Sequence, residues 1–317
     1  MMHRCRHWIA GLLLLTVLVS ASSGVADSLK GKIDSLFAIA SSLEFRYRDL
    51  VGPAQDSIAA LTTAAVPYLI DRLGTTIAHE RVALENIFRK IGPPAVPLLN
   101  QALLTTDSLQ LSRVALILGN LPDTSSVANL LLVTQNPFYW VRYESIRALG
   151  FIKDTRAVAA VRVAMSDTNE LVRTIAAVSA GHLQDTSLIP ALIVALNDTY
   201  YGARLEARDE LAKLPCEQKS DYLLPAVQEP GSPIRLRCLL SVLADDSCRY
   251  PLDKITPYFK YADPLVQSLA FRIAARSDKP MVAKYLSAMA RENQSLIMRQ
   301  TIDDLTGANE TATTPYP

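Results

Sequence analysis

The sequence predicts an all-α chain, an α-solenoid of about eight helix-pair repeats, and three observations carry that prediction. Whole phrases recur 31 residues apart: GNLPDTS from Gly119, GFIKDTR from Gly150 and GHLQDTS from Gly181. Between them, apolar residues return at three- and four-residue spacing, the signature of helices with one buried stripe. Finally, 50% of the 317 residues are hydrophobic and 20% charged, too apolar for disorder. With aromatics at 7%, Ala, Leu, Val and Ile must supply the core. The length alone admits one elongated domain or two compact ones.

Taken in order, residues 1–26 read as an export signal. Arg4 and Arg6 precede an apolar run from Trp8 to Val19, followed by small residues at Ser20-Ala21 and Gly24-Val25-Ala26. The run falls short of the ~20 residues needed to span a bilayer. Cleavage is expected after Ala26, with Ala21 and a retained N-terminal anchor as alternatives, so the expected location is the periplasm or the extracellular space. The mature chain then holds 30 basic and 31 acidic residues, two histidines (His79, His182), three cysteines and Trp140. Near-neutrality argues against a nucleic-acid partner, and two histidines leave little for a His-based metal centre.

Residues 27–63 read as N-terminal capping helices. Lys30, Lys32, Asp34, Glu44, Arg46 and Arg48 surround Ile33, Leu36, Phe37 and Leu43. Such caps are needed where an outer repeat would expose its core face. The repeat array follows over 64–305 and a disordered tail over 306–317. Within the array, Val66-Pro67, Val96-Pro97, Val127, Val158 and Ile189-Pro190 mark one position of successive units, and Pro233 and Pro264 extend the register. In each DT pair the Asp or Thr oxygen can cap the next helix. The glycine before it is expected to close the preceding helix in a left-handed conformation. Small side chains recur at Ser145, Ala176, Ala207 and Cys238, where helices would approach closely, so Cys238 is expected buried and free.

These units resemble HEAT repeats of the short, phycobilisome-lyase-like type, most clearly in VRYESIRALGFIKDTRAV and LVRTIAAVSAGHLQDTSLI. The resemblance covers roughly 64–305 and is strongest from 95 to 215. It weakens toward the end, where Val266 replaces the repeating Arg and the last unit lacks the DT phrase. HEAT repeats carry an acidic residue in the intra-repeat turn and an Arg six positions later. Asp107 and Arg113, Asp167 and Arg173, and Asp198 and Arg204 match; Asn136–Arg142 and Glu229–Arg235 keep the offset with altered chemistry. A structural ladder of carboxylates and guanidinium forks is the expected use of this row, in preference to anion binding.

The resemblance also implies that the second helix of each unit lines a concave binding face. Phe138, Tyr139, Trp140 and Tyr143, with Tyr200 and Tyr201 at the equivalent positions 62 residues on from Phe138 and Tyr139, fall at the start of such helices. Trp, Tyr and Arg are the usual anchors of protein interfaces, so these six are the expected contact residues for another protein or peptide; packing between units is the alternative use. Glu144 and Glu206, also 62 apart, are expected on a solvated face. No catalytic residue, metal or cofactor is expected. The rival reading is a HEAT-like enzyme with a groove-bound metal or chromophore, hydroxylase-like or bilin-lyase-like. Deoxyhypusine hydroxylase uses several His-Glu pairs, whereas this chain has His79-Glu80 alone and Tyr143-Glu144 at a comparable place. Cys216 and Cys248 lie in linkers on the same edge of neighbouring units. They can pair if their Cα atoms come within ~7 Å, or remain free thiols.

Overall fold

Each DT phrase starts a helix, as its chemistry requires. The carboxylates of Asp123, Asp154 and Asp185 accept the backbone N–H of Ser125, Arg156 and Ser187 at 2.8, 2.9 and 2.9 Å. One 3₁₀ turn follows in each case, and then a seven-residue α-helix. The side chains of Arg156 and Ser187 at Asp154 and Asp185, and the backbone N–H of Ser125 at Asp123, are the main bonds that favour the ionised form and hold all three carboxyls below the ordinary range, Asp154 to about 2. Where Pro follows the β-branched marker, as at Pro67, Pro97 and Pro190, it sits in the first turn, where its missing N–H has no partner to lose.

The computed structural model describes residues 28–104, 107–245, 247–289 and 294–306. The expected signal segment and the tail beyond Thr306 lie outside the described residues. Among these, every regular element is helical and no helix is long and apolar enough to cross a membrane. Two compact units divide the chain, the first ending at Ala148 and the second beginning at Leu149. The first holds α1 (28–40), α2 (Val51–Ala59), α3 (Val66–Asp71), α4 (Ala78–Ile91), α5 (Val96–Ala102), α6 (Ser108–Asn120), α7 (Val127–Val133) and most of α8 (Tyr139–Ile152). The second holds α9 (Val158–Ala164), α10 (Glu170–Leu183), α11 (Ile189–Ala195), α12 (Tyr201–Ala212), α13 (Cys216–Gln228), α14 (Pro233–Ala244), α15 (Pro264–Ser277), α16 (Lys279–Ser287) and α17 (Leu296–Thr306).

Space follows sequence order inside each unit. In the first, α2, α4 and α6 pack in succession, as do α3 and α5; in the second, α10, α12, α14, α15 and α17 do the same. The same buried position recurs in the first helices of both units: Leu99 and Leu130 in the first, Val161, Leu192 and Leu223 in the second, spaced by 31 and at most 3% exposed. Each such side chain contributes roughly 1.5–3 kcal/mol by leaving water. The seventh pair departs from the rule. Two 3₁₀ segments, Leu252–Lys254 and Thr256–Lys260, stand in for its first helix, and Phe259 packs on Phe271 with ring centres 4.2 Å apart.

The repeating glycines do not close helices. Gly119, Gly150 and Gly181 lie inside α6, α8 and α10, and the left-handed residues are instead Lys153 and Gln184, three positions later. What the glycines permit is contact with the next second helix. A Cβ on Gly119 would lie 3.0 Å from the Ala148 Cα, one on Gly150 would lie 2.7 Å from the Ser179 Cβ, and one on Gly181 would overlap the Glu210 carboxylate. The small-residue column is likewise fully buried at Ser145, Ala176 and Ala207. Cys238 is free but only half-buried, because its side of α14 opens on a groove.

Candidate functional site

The intra-repeat turns position the second helices, and their chemistry differs from the simple carboxylate–guanidinium offset. Arg142, Arg173 and Arg204 donate across the six-residue spacing to main-chain carbonyls, of Asn136, Asp167 and Asp198, at 2.9, 2.9 and 2.6 Å. The side chains at those positions turn the other way and accept the N–H two residues on, of Phe138, Asn169 and Tyr200. A carboxylate is too short to meet an arginine six residues later while also making this turn, so the guanidinium takes the carbonyl. Between successive repeats the ladder forms as a two-pronged pair where Arg173 donates to both oxygens of Asp198 at 2.6 and 2.8 Å. Burial would raise the Asp198 carboxyl, but the bonds from Arg173 and the Tyr200 N–H hold it below the ordinary range.

The ends of the row behave differently. Asp107 caps α6 through the N–H groups of Leu109 and Gln110, while Arg113 reaches back to the Leu73 carbonyl. Ser232 caps α14 at the Arg235 N–H, and the Arg235 Nε is buried without a hydrogen-bond partner among the described residues.

Asp198 fixes the entry into α12, and with it Tyr200 and Tyr201. Tyr201 is 65% exposed and lies under the Arg204 guanidinium, 5.7 Å from its ring centre. It forms one end of a groove of about 480 Å³ across the second helices α12, α14 and α15. Leu205 and Leu269 line this groove with Arg204, Arg208 and Arg237. Ile234 and Leu265 remain 49% and 38% exposed, and the Cys238 thiol and Ser241 complete the lining. Arg208 pairs with Asp209, and Arg237 with Asp263. Burial raises the Cys238 thiol above its ordinary range. Sequence reasoning named Tyr201 and Arg204 but missed the apolar contacts. The signal was available: Ile234 and Leu265 are 31 apart, each directly after a repeat-marking proline.

In the first unit, Phe138, Tyr139, Trp140 and Tyr143 form a chain of ring contacts at 5.8, 5.0 and 5.2 Å around the first turn of α8. Trp140 is the exposed member; the others are half-buried. Glu144 is not on a solvated face. It is buried, accepts from Arg147 Nε at 2.7 Å, and burial raises its carboxyl despite that partner. Glu206 is half-buried, and burial raises its carboxyl as well. His79 Nδ1 meets the Ser41 carbonyl at 2.6 Å, and Glu80 accepts from the Thr75 hydroxyl at 2.5 Å. Both members of that pair serve the local fold, and among the described residues no His, Cys, Asp or Glu group is placed to hold a metal ion.

Cys216, the first residue of α13, and Cys248, in the segment after α14, form a disulfide with Cα atoms 5.7 Å apart. It ties the sixth pair to the irregular stretch that leads into α15.

No curated protein matches the chain in sequence. Among solved structures, human deoxyhypusine hydroxylase in complex with glycerol is similar at 18% identity, over 79% of this chain and 98% of its own, with a TM-score of 0.35. An archaeal HEAT-like repeats protein from Thermococcus onnurineus NA1 is similar at 17% identity, over 68% and 96%, with a TM-score of 0.41. YibA from E. coli is similar at 15% identity, over 83% and 97%, with a TM-score of 0.48. The family model described as HEAT repeats matches residues 96–180 and 127–212. The helix pairs from α5 to α12 thus match the HEAT-repeat model and lie within an all-helical fold.

Proposed function

We propose that this chain is an exported HEAT-repeat binding or scaffold protein that engages another protein or peptide through the face built by its second helices. The groove across α12, α14 and α15 carries the reading. Tyr201, Ile234 and Leu265 stand exposed on three successive second helices, beside the guanidinium groups of Arg204, Arg208 and Arg237. Exposed aromatic and aliphatic groups next to arginines are what interface hot spots are made of. The apolar segment Trp8–Val19 behind Arg4 and Arg6 supports export.

The test is an affinity pull-down from the native envelope or secreted fraction with wild type, Trp140→Ala and Tyr201→Ala. Loss of a stable companion with Tyr201→Ala is expected. Retention of every companion by both variants overturns the reading. N-terminal sequencing of the protein from that fraction is expected to begin at Asp27; a chain still beginning at Met1 removes the cleavage part of the proposal.

A further inference from the structure

A second site lies at the other end of α12, lined by different residues from the groove. The DT phrase is missing where α13 begins: Pro215-Cys216-Glu217-Gln218 occupies the register of Gln184-Asp185-Thr186-Ser187. Without that phrase no 3₁₀ turn forms, α13 starts directly at Cys216 and runs 13 residues, and no side chain caps it. The mismatch with the seven-residue α11 leaves a cavity of about 330 Å³ between the ends of α10 and α12 and the starts of α11 and α13. That is the size range of small-molecule sites.

The lining combines apolar and charged groups. Ile189, Leu192 and Leu214 are its apolar members. Glu210, 6% exposed, lines it too, at the position where the two preceding repeats have Ser179 and Ala148. Its carboxylate fits only because Gly181 has no Cβ. One oxygen accepts from Lys213 Nζ at 2.6 Å, and the Lys213 side chain is 66% exposed and free to swing away. Asp185 adds a second carboxylate to the lining.

We propose that this cavity binds an organic cation, a primary ammonium or guanidinium on a short aliphatic stem. The cation replaces Lys213 at Glu210 while the stem lies on Ile189, Leu192 and Leu214. The same chemistry is carried by a free diamine or by a lysine or arginine side chain of a partner, so the probes separate the two. Titration calorimetry on the mature chain uses cadaverine, agmatine and Nα-acetyl-lysine methylamide. Saturable binding of at least one probe is expected, the diamines marking a free ligand and the lysine derivative a partner side chain. Glu210→Gln is expected to weaken binding at least about tenfold, the loss of one charge-assisted bond. Lys213→Ala, at an exposed position, is expected to tighten it. Absence of saturable binding for all three probes overturns the proposal, as does unchanged affinity in Glu210→Gln. If Glu210→Gln does not fold, Lys213→Ala decides, and unchanged or weaker affinity there overturns it equally.

Discussion

Two neighbouring stretches of the second unit, 150–212 and 213–260, have opposite habits. The first is regular. Asp154 and Asp185 each open a 3₁₀ turn and a seven-residue helix, and Gly150 and Gly181 each admit the next second helix. The second lacks the phrase, carries Pro225 inside α13, and replaces a first helix by two 3₁₀ segments before α15. A cavity sits at the junction, and a disulfide spans the irregular part. One buried position changes character: Ser126, Ala157 and Leu188 are followed 31 residues on by a buried lysine, Lys219, although Leu223 keeps the apolar column. Where the repeat is kept, noncovalent contacts between equivalent positions are enough to stack the helices. Where it breaks, a covalent link is added to them and a cavity appears.

The largest expected effect breaks the irregular stretch. The Cys216→Ser, Cys248→Ser double variant opens a loop with a sequence separation of 32. Chain-entropy arguments give a loss of about 3–4 kcal/mol. Urea denaturation against wild type checks this, and coincident midpoints would show that the link is incidental. Next is Arg173→Ala in the regular stretch. It leaves Asp198, 9% exposed at its side chain, without its two-pronged partner. A loss of about 3 kcal/mol is expected, whereas Arg173→Lys should recover only part because one ammonium cannot bridge both oxygens.

The glycine pair sharpens the comparison further. In Gly150→Ala the new methyl meets the Cβ and Cα of Ser179, which cannot move without moving α10. A cost of about 1–3 kcal/mol follows. In Gly181→Ala it meets the end of the flexible Glu210 side chain. The cost should therefore stay below about 1 kcal/mol, reduced by the better helix propensity of Ala. Equal costs in thermal melts would mean that the junction is as tightly packed as the regular stretch.

The smallest effect is on acid sensitivity. Asp154 titrates at about 2 in the folded chain, below the ordinary value of about 3.9. Its contribution is complete above the unfolded value and is lost as pH falls toward and through the folded one. The Asp154→Asn variant should therefore show a shallower fall in urea midpoint between about pH 4 and pH 2; a fall as steep as wild type would place the acid response elsewhere. The start of α13, capped by no side chain, has no such titrating group.

Much of the fold was legible because a repeat writes the same constraint many times. The 31-residue phrase located helix starts, pairs and stacking order, whereas the spacing of Cys216 and Cys248 left both a cross-link and free thiols open, and the structure forms the cross-link. The functions of individual repeated residues were less legible. Glycine after a helical run suits both a left-handed close and a helix crossing, and only the neighbouring helix distinguishes them. The arginine offset fitted a carboxylate partner as well as a carbonyl one. Glu144 and Glu206 looked like solvated residues, yet one is buried and the other half-buried, because a sequence shows helical spacing but not what packs above it.

The amino-acid sequence on its own determined what local chemistry and periodicity can determine: helices, their caps, their pairing and the order in which they stack. Tertiary structure alone decided which face of each second helix meets its neighbour and which stays open, so the half-buried Cys238 and the cavity beside Glu210 could not be read in advance, and the groove beside Tyr201 could be read only in part. The physical reason is that caps and amphipathic stripes are set within a few residues, whereas a cavity is the difference between two surfaces brought together from some thirty residues apart.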